Sequence, residues 1–303
     1  MALTRRIYVS MPADTWLTRE QNDMKWGIVE RIEQLGYTPE IFTDPTGRKS
    51  LSSGLALSAA DADEIARHCH GAAIIGLPRW VFKAEDRTVY LPTEYCQYEG
   101  AIARTLGLPL LILAQANLMR RVVFDSGFGP YIGTFPEGAD RSWLSTNEFQ
   151  ACFTQWRARL ENRRDVFLGY CGSSSGPADN LRTFLEHEIG ATVLDWKRDF
   201  MPGRSILEEI EEARGRCAAG IFLFTKDDTL RKESGRQQAA PRDNVVFEAG
   251  YFASAKGKKR VLIVLQKGTK MPADLGGDIY ASLEDPADLS SVKETVRRFL
   301  SNQ

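Results

Sequence analysis

The stretch Pro241–Phe252, PRDNVVFEAGYF, sets a single acid, Glu248, among small and apolar residues just after a polar Arg-Asp-Asn run. A glutamate on a surface helix needs no explanation. In a dry pocket a carboxylate is costly, and it is kept there for chemistry. Spacing alone leaves both options open. Val245, Val246, Ala249, Gly250 and Ala253 make a small apolar stripe suited to packing on a sheet. That stripe places Glu248 away from its middle, on the side shared with Tyr251 and Phe252, with Asp243 or Asn244 as the helix cap.

Three further segments of the second half have the residue types of a ligand site. In GYCGSSSGP, Gly172 and Ser173 offer backbone N–H groups and a hydroxyl that suit a phosphate; the same loop also reads as a flexible turn. WKRDFMPGRS ends in Arg204 and Ser205 at the start of a helix, where an anion can bind, although a solvated arginine there is equally ordinary. The run TKDDTLRKESGRQQAAPRDNVVFEAG contains Asp227, Asp228, Arg242 and Asn244 and reads as a long polar loop running into the helix that carries Glu248, a length usually functional or mobile. Trp196, Tyr170 and Phe200 could stack on a ring or simply fill a core. In the first half, LPTEYCQYEGAIA carries Glu94 and Glu99. Nothing points to a metal. His68, His70 and His187 lack partners at ligand spacing, and the five cysteines are odd in number with no C-x-x-C pair, which reads as reduced thiols.

The elements that would position these groups occur twice. RRIYVS, YTPEIF, GAAIIGL and LPLLILAQ read as strands separated by helices over TREQNDMKWGIVERIEQLG, SAADADEIARHC and YEGAIARTLG. Thr18 with Gln21 makes a capping box and Gly36 a stop. The pattern restarts with RDVFLGY, ATVLDW, AAGIFLF and KRVLIVLQ as strands. Ser205 and Glu208 make a second capping box and Gly190 a second stop. Short apolar runs without alternation, spaced by helices, predict parallel sheets covered on both faces. Overlaid, GRKS at 47–50 meets GRSI at 203–206, Cys69 meets Cys217 and Glu99 meets Glu248. The expected architecture is α/β with two tandem flavodoxin-like domains, 1–163 and 164–303; one long doubly wound sheet is the alternative. In parallel sheets ligands bind at the carboxyl ends of the strands, where these segments fall.

Composition limits the function classes. The chain has 303 residues, long enough for two domains with their own cores. The net charge is −1 with Lys and Arg scattered, so no basic face for nucleic acid is visible. The first residues lack a signal-peptide core and no run of about 18 apolar residues exists. A cytoplasmic protein without membrane spans is expected.

PRDNVVFEAGYF, preceded by GIFLFTKDD and followed by GKKRVLIVL, resembles the bacterial TIR-like (predicted nucleotide-binding) domains of anti-phage effectors, over residues 165 to about 275 with FMPGRSILEEIEEA upstream. These resemble Toll/interleukin-1 receptor domains, whose enzymatic members cleave NAD+ at the nicotinamide–ribose bond. The resemblance implies that Glu248 is the catalytic glutamate and that Asp227, Asp228, Arg242 and Asn244 match other motif positions. It also implies that DFMPGRS flanks the substrate and that NAD+ is a substrate, with no cofactor needed. Assembly into a homo-oligomer, or activation by a partner protein or nucleotide signal, is implied as well. The first half lacks the Arg-x-Asn run. It is similar to nucleoside deoxyribosyltransferase-like folds, so Glu94 and Glu99 could form a second site, active, ligand-sensing or degenerate. An N-glycosidase centred on Glu99, or a non-enzymatic nucleotide-binding scaffold, are the alternative functions.

Overall fold

The computed structural model describes residues 3–42, 59–83, 85–129, 131–231, 237–275 and 280–301. Residues 47–50, which the overlay sets against 203–206, lie outside these. Two compact units form, one over 4–162 and one from Arg163 onward that also takes in Leu3.

The N-terminal unit runs β1 (Arg6–Ser10), α1 (Arg19–Gln34), β2 (Thr38–Glu40), α2 (Ala59–Arg67), β3 (Gly71–Gly76), β4 (Trp80–Lys83), β5 (Thr88–Leu91), α3 (Glu94–Thr105), β6 (Leu110–Gln115), β7 (Ile132–Phe135) and α4 (Asn147–Glu161). The C-terminal unit runs β8 (Arg164–Tyr170), α5 (Ser175–Thr183), β9 (Val193–Asp195), α6 (Trp196–Asp199), α7 (Ile206–Arg216), β10 (Cys217–Phe224), β11 (Asp228–Arg231), β12 (Gln237–Ala240), α8 (Asp243–Lys256), β13 (Val261–Gln266), β14 (Tyr280–Leu283) and α9 (Lys293–Ser301).

Each unit holds its own five-stranded sheet, ordered β2-β1-β3-β6-β7 and β9-β8-β10-β13-β14, so no single long sheet runs through the described residues. Every pairing in both sheets is parallel. This is the flavodoxin-like order, in which the strand order reverses between the first and third strands and leaves a crevice there. β3, β6 and β10 are buried almost throughout, as their unbroken apolar runs predict. Helices cover both faces of each sheet, giving two apolar cores per unit.

Local signals explain the helix ends. Thr18 and Gln21 close the predicted capping box at α1, as Ser205 and Glu208 do at α7. Gly36 and Gly190 stop their helices at φ +85° and +76°, a region where a side chain is strained. The sequence reading missed β7 and β14, the short fifth strands. The long polar loop expected ahead of the Glu248 helix instead holds an antiparallel ribbon, β11 with β12. The N-terminal unit has the matching ribbon, β4 with β5.

Candidate active site

In the C-terminal unit the reversal falls between β8 and β10, and α8 packs over this seam. Val245, Ala249 and Phe252 bury against the sheet, with the Phe252 ring 4.9 Å from that of Phe167 on β8. Glu248 lies three residues after Val245 and four before Phe252, so helical spacing puts it on the same face. The expected stripe is therefore rotated. Gly250 and Ala253 are only half-buried, and Glu248 turns its carboxylate inward. A Cβ added at Gly169, the penultimate residue of β8, would lie 3.1 Å from Glu248 Oε2 and 2.4 Å from Phe222 Cδ1. Glycine is needed at that point because the carboxylate and the Phe222 ring occupy the volume a side chain would take.

Glu248 Oε2 is buried without a hydrogen-bond partner. Loss of hydration raises its pKa to about 7, with no cation to hold it down. A buried acceptor left open costs about 1–3 kcal/mol. Such a group at the carboxyl end of a central strand is ready to receive donors from a ligand.

The rim beside it is built from hydroxyls. Ser173 and Ser174 both donate to Asp227 Oδ1, at 3.0 and 2.9 Å, and Thr225 donates to Asp227 Oδ2 at 2.8 Å. Asp227 thereby ties the end of β8 to the end of β10. Gly172 opens the same turn, and a Cβ there would sit 3.9 Å from the Trp196 ring. The Trp196 indole donates to the Tyr170 carbonyl at 3.1 Å, and Tyr170 donates to the buried Asp195, which Arg182 also holds. Arg242 Nη1 donates to Asp228 Oδ1 at 2.8 Å, joining the foot of the ribbon to the start of α8.

Not every expected residue joins this group. Asn244 is exposed, and its backbone N–H bonds Asp243 Oδ1; the helix cap is Arg242 with no side-chain cap bond, not Asp243 or Asn244. Arg204 pairs with Glu209 and Glu212, and Ser205 exchanges bonds with Glu208. The anion-binding groups expected at α7 are thus committed to that helix itself. Phe200 stacks on Phe167 in the core. Gly169, Ser174 and Thr225 were not anticipated; the Thr-x-Asp spacing at 225–227 is the one sequence signal that could have marked them.

In the N-terminal unit Glu99 is buried on α3, and burial likewise raises its pKa to about 7. Glu94 is separate from it: exposed at the helix start, it accepts from the Trp80 indole at 3.4 Å. Among the described residues no cluster of His, Cys, Asp or Glu could hold a metal ion, and no helix is long and apolar enough to cross a membrane.

Residues 165–285 match the family model described as the TIR domain of the CAP12/Pycsar effector protein. The chain is 38% identical over 85 residues to the uncharacterized protein YuaY of Escherichia coli, 27% of this chain and 28% of that protein. It is 31% identical over 142 residues to CD-NTase-associated protein 12 of Sphingobacterium faecium, 46% of this chain and 43% of the relative. It is also 31% identical over 115 residues to the Pycsar effector protein BcPycTIR of Burkholderia cepacia, 37% of each. The matches span less than half the length of these curated relatives.

Proposed function

We propose that this chain, whose residues 165–285 form a TIR domain of the CAP12/Pycsar effector type, is an NAD+ glycohydrolase acting as a regulated effector of anti-phage defence. One observation carries the reading. Glu248 Oε2 is buried without a hydrogen-bond partner and lies against Gly169 at the carboxyl end of the sheet's reversal point.

The chemistry suits a lone carboxylate. When the bond from ribose C1′ to the nicotinamide nitrogen breaks, both electrons go to the ring, which leaves neutral and needs no acid. Positive charge grows on the ribose. Ionised Glu248, accepting bonds from the ribose hydroxyls, stabilises that charge in a site where water does not screen it. Water then adds at C1′ and releases a proton, giving nicotinamide and ADP-ribose. The hydroxyl rim at Ser173 and the face of Trp196 border the same crevice and would hold the remainder of the dinucleotide.

An NAD+ hydrolase left active would drain its own cell. We therefore place it in the cytoplasm under the control of assembly, a partner protein or a nucleotide signal. The test is NAD+ consumption by concentrated protein, with and without candidate activators, against Glu248→Gln. Loss of NAD+ in the wild type alone supports the reading. Equal inertness of both proteins once assembled overturns it.

A further inference from the structure

The two ribbons occupy the same place in the repeated fold and differ in chemistry. Each lies between the third strand of its unit and the helix that follows. In the C-terminal unit the Lys270 N–H, just past β13, donates to the Ala239 carbonyl at 2.8 Å, so β12 is the held strand and β11 the open edge. That edge carries Asp228 and Arg231, and Asp228 is paired with Arg242. Charges on an open edge are the usual guard against pairing with another chain.

In the N-terminal unit the Met119 N–H, just past β6, donates to the Tyr90 carbonyl at 2.8 Å, and Tyr90 bridges Leu118. Here β5 is the held strand and β4 the open edge, and among the described residues no strand pairs with its outer side. This edge is not guarded. Trp80, Val81 and Phe82 are 42%, 54% and 55% exposed, and Lys83 is the one charge of the strand. Large apolar side chains on both faces of a two-stranded ribbon leave it short of a packing partner.

Register decides what fits there. Val81 pairs with Tyr90, whose carbonyl turns away to Met119, and backbone groups alternate in direction along an antiparallel pair. The N–H and C=O of Val81 and Lys83 therefore point to the open side. Two copies of β4 set antiparallel about a two-fold axis at Phe82 exchange hydrogen bonds between Val81 of one and the partner's Lys83, and bring the two Phe82 rings together. The same pairing sets Arg79 across from the partner's Glu85. The Arg79 guanidinium is already fixed by stacking, 3.3 Å from the Trp16 ring centre and 4.4 Å from that of Trp80. Among the described residues Arg79 pairs with no carboxylate, and Glu85, exposed at the ribbon's turn, pairs with no cation. A two-fold axis at Val81 instead opposes Arg79 to the partner's Lys83, two like charges, which is destabilising. An apolar edge alone suits any extended peptide; the match of Arg79 to Glu85 selects a second copy.

We propose that β4 is a homodimer interface: two copies of this chain join their N-terminal ribbons edge to edge, antiparallel about Phe82, into one four-stranded sheet. The pairing does not depend on what Glu248 does.

Sedimentation velocity on the full chain carrying Glu248→Gln, over a range of concentrations, tests this. A species of twice 33.9 kDa is expected at the upper end. Phe82→Lys should weaken dimerisation by about tenfold or more. So should Val81→Pro, which removes an outward-facing N–H and leaves the ribbon's own bonds in place. Arg79→Glu and Glu85→Arg should each weaken the dimer, and the double variant should regain it. Leu230→Lys, on the guarded edge, should change nothing. Phe82→Cys should cross-link to its own copy on oxidation, since opposite residues of a non-hydrogen-bonded pair fall within disulfide reach. Thermal melts identify any variant that fails to fold, and the charge swap decides the matter if the Phe82 and Val81 variants are unstable. A chain that stays monomeric at every concentration would overturn the proposal and leave the edge to a different protein. A dimer indifferent to Phe82→Lys and to the Arg79 and Glu85 reversals would overturn it as well, placing the contact elsewhere.

Discussion

Glu99 and Glu248 hold equivalent places on equivalent helices over equivalent strands, and burial raises both to about 7. What differs is the strand beneath. Under Glu248 it presents Phe167 and Gly169, one ring and a glycine whose side-chain volume the carboxylate and Phe222 take; under Glu99 it presents Tyr8 and Ser10, two hydroxyls. The rims diverge too, an acid holding three hydroxyls at Asp227 against a ring-stacked guanidinium at Arg79. A duplicated fold thus keeps the place of a carboxylate while two or three neighbours change what surrounds it. Fold alone does not assign chemistry.

That contrast can be broken most sharply at Gly169. Gly169→Ser imports the N-terminal residue and drives a side chain into Phe222 and toward Glu248 Oε2. NAD+ turnover should fall by about 100-fold, the order expected when a catalytic group is displaced by about 1 Å. A G169S protein with full activity would show that the close approach at this glycine does not matter. Next comes pH. Glu248 must be ionised to stabilise a cation, so kcat/KM should lose roughly tenfold per unit as pH drops below about 7 and level off above it. A profile flat from pH 5 to 8 would assign the chemistry to another group.

Stability separates the two units further. A carboxyl whose pKa is raised on folding stabilises the fold while it is protonated, and that contribution is lost as pH climbs from the ordinary 4.5 through the folded value near 7. Wild type should therefore lose on the order of 3 kcal/mol across that window relative to Glu99→Gln, which has no charge to bury. Urea midpoints measured from pH 4.5 to 8 check this, and parallel curves would contradict it. The smallest effect is at α7. Ser205→Ala should cost about 1 kcal/mol of stability, the usual value of an N-cap, and leave turnover unchanged. A drop in turnover instead would return Ser205 and Arg204 to the substrate.

Much of this was legible in the residues. Capping boxes at Thr18 and Ser205, stops at Gly36 and Gly190, and unbroken apolar strands carry their own physics, and they marked both sheets. The C-terminal ribbon was not legible: Asp228–Arg231 and Gln237–Ala240 are largely polar and only Ala240 among them is buried, with no alternation to betray a strand. The α8 face was misjudged because Gly250 and Ala253 counted as apolar, though neither has the bulk of Phe252, which sets the helix's rotation and turns Glu248 inward. Gly169 sits silently within RDVFLGY. Its meaning depends on Phe222 and Glu248, which lie 53 and 79 residues away in the sequence and meet it only after the sheet and α8 are assembled.

The most direct measurement is nicotinamide release from NAD+ at pH 8, with wild type, Glu248→Gln and Glu99→Gln assayed side by side at high protein concentration. The account predicts release by the wild type, a fall of two to three orders of magnitude for Glu248→Gln, and a chemical step left intact by Glu99→Gln. Release that survives Glu248→Gln and disappears with Glu99→Gln would contradict it.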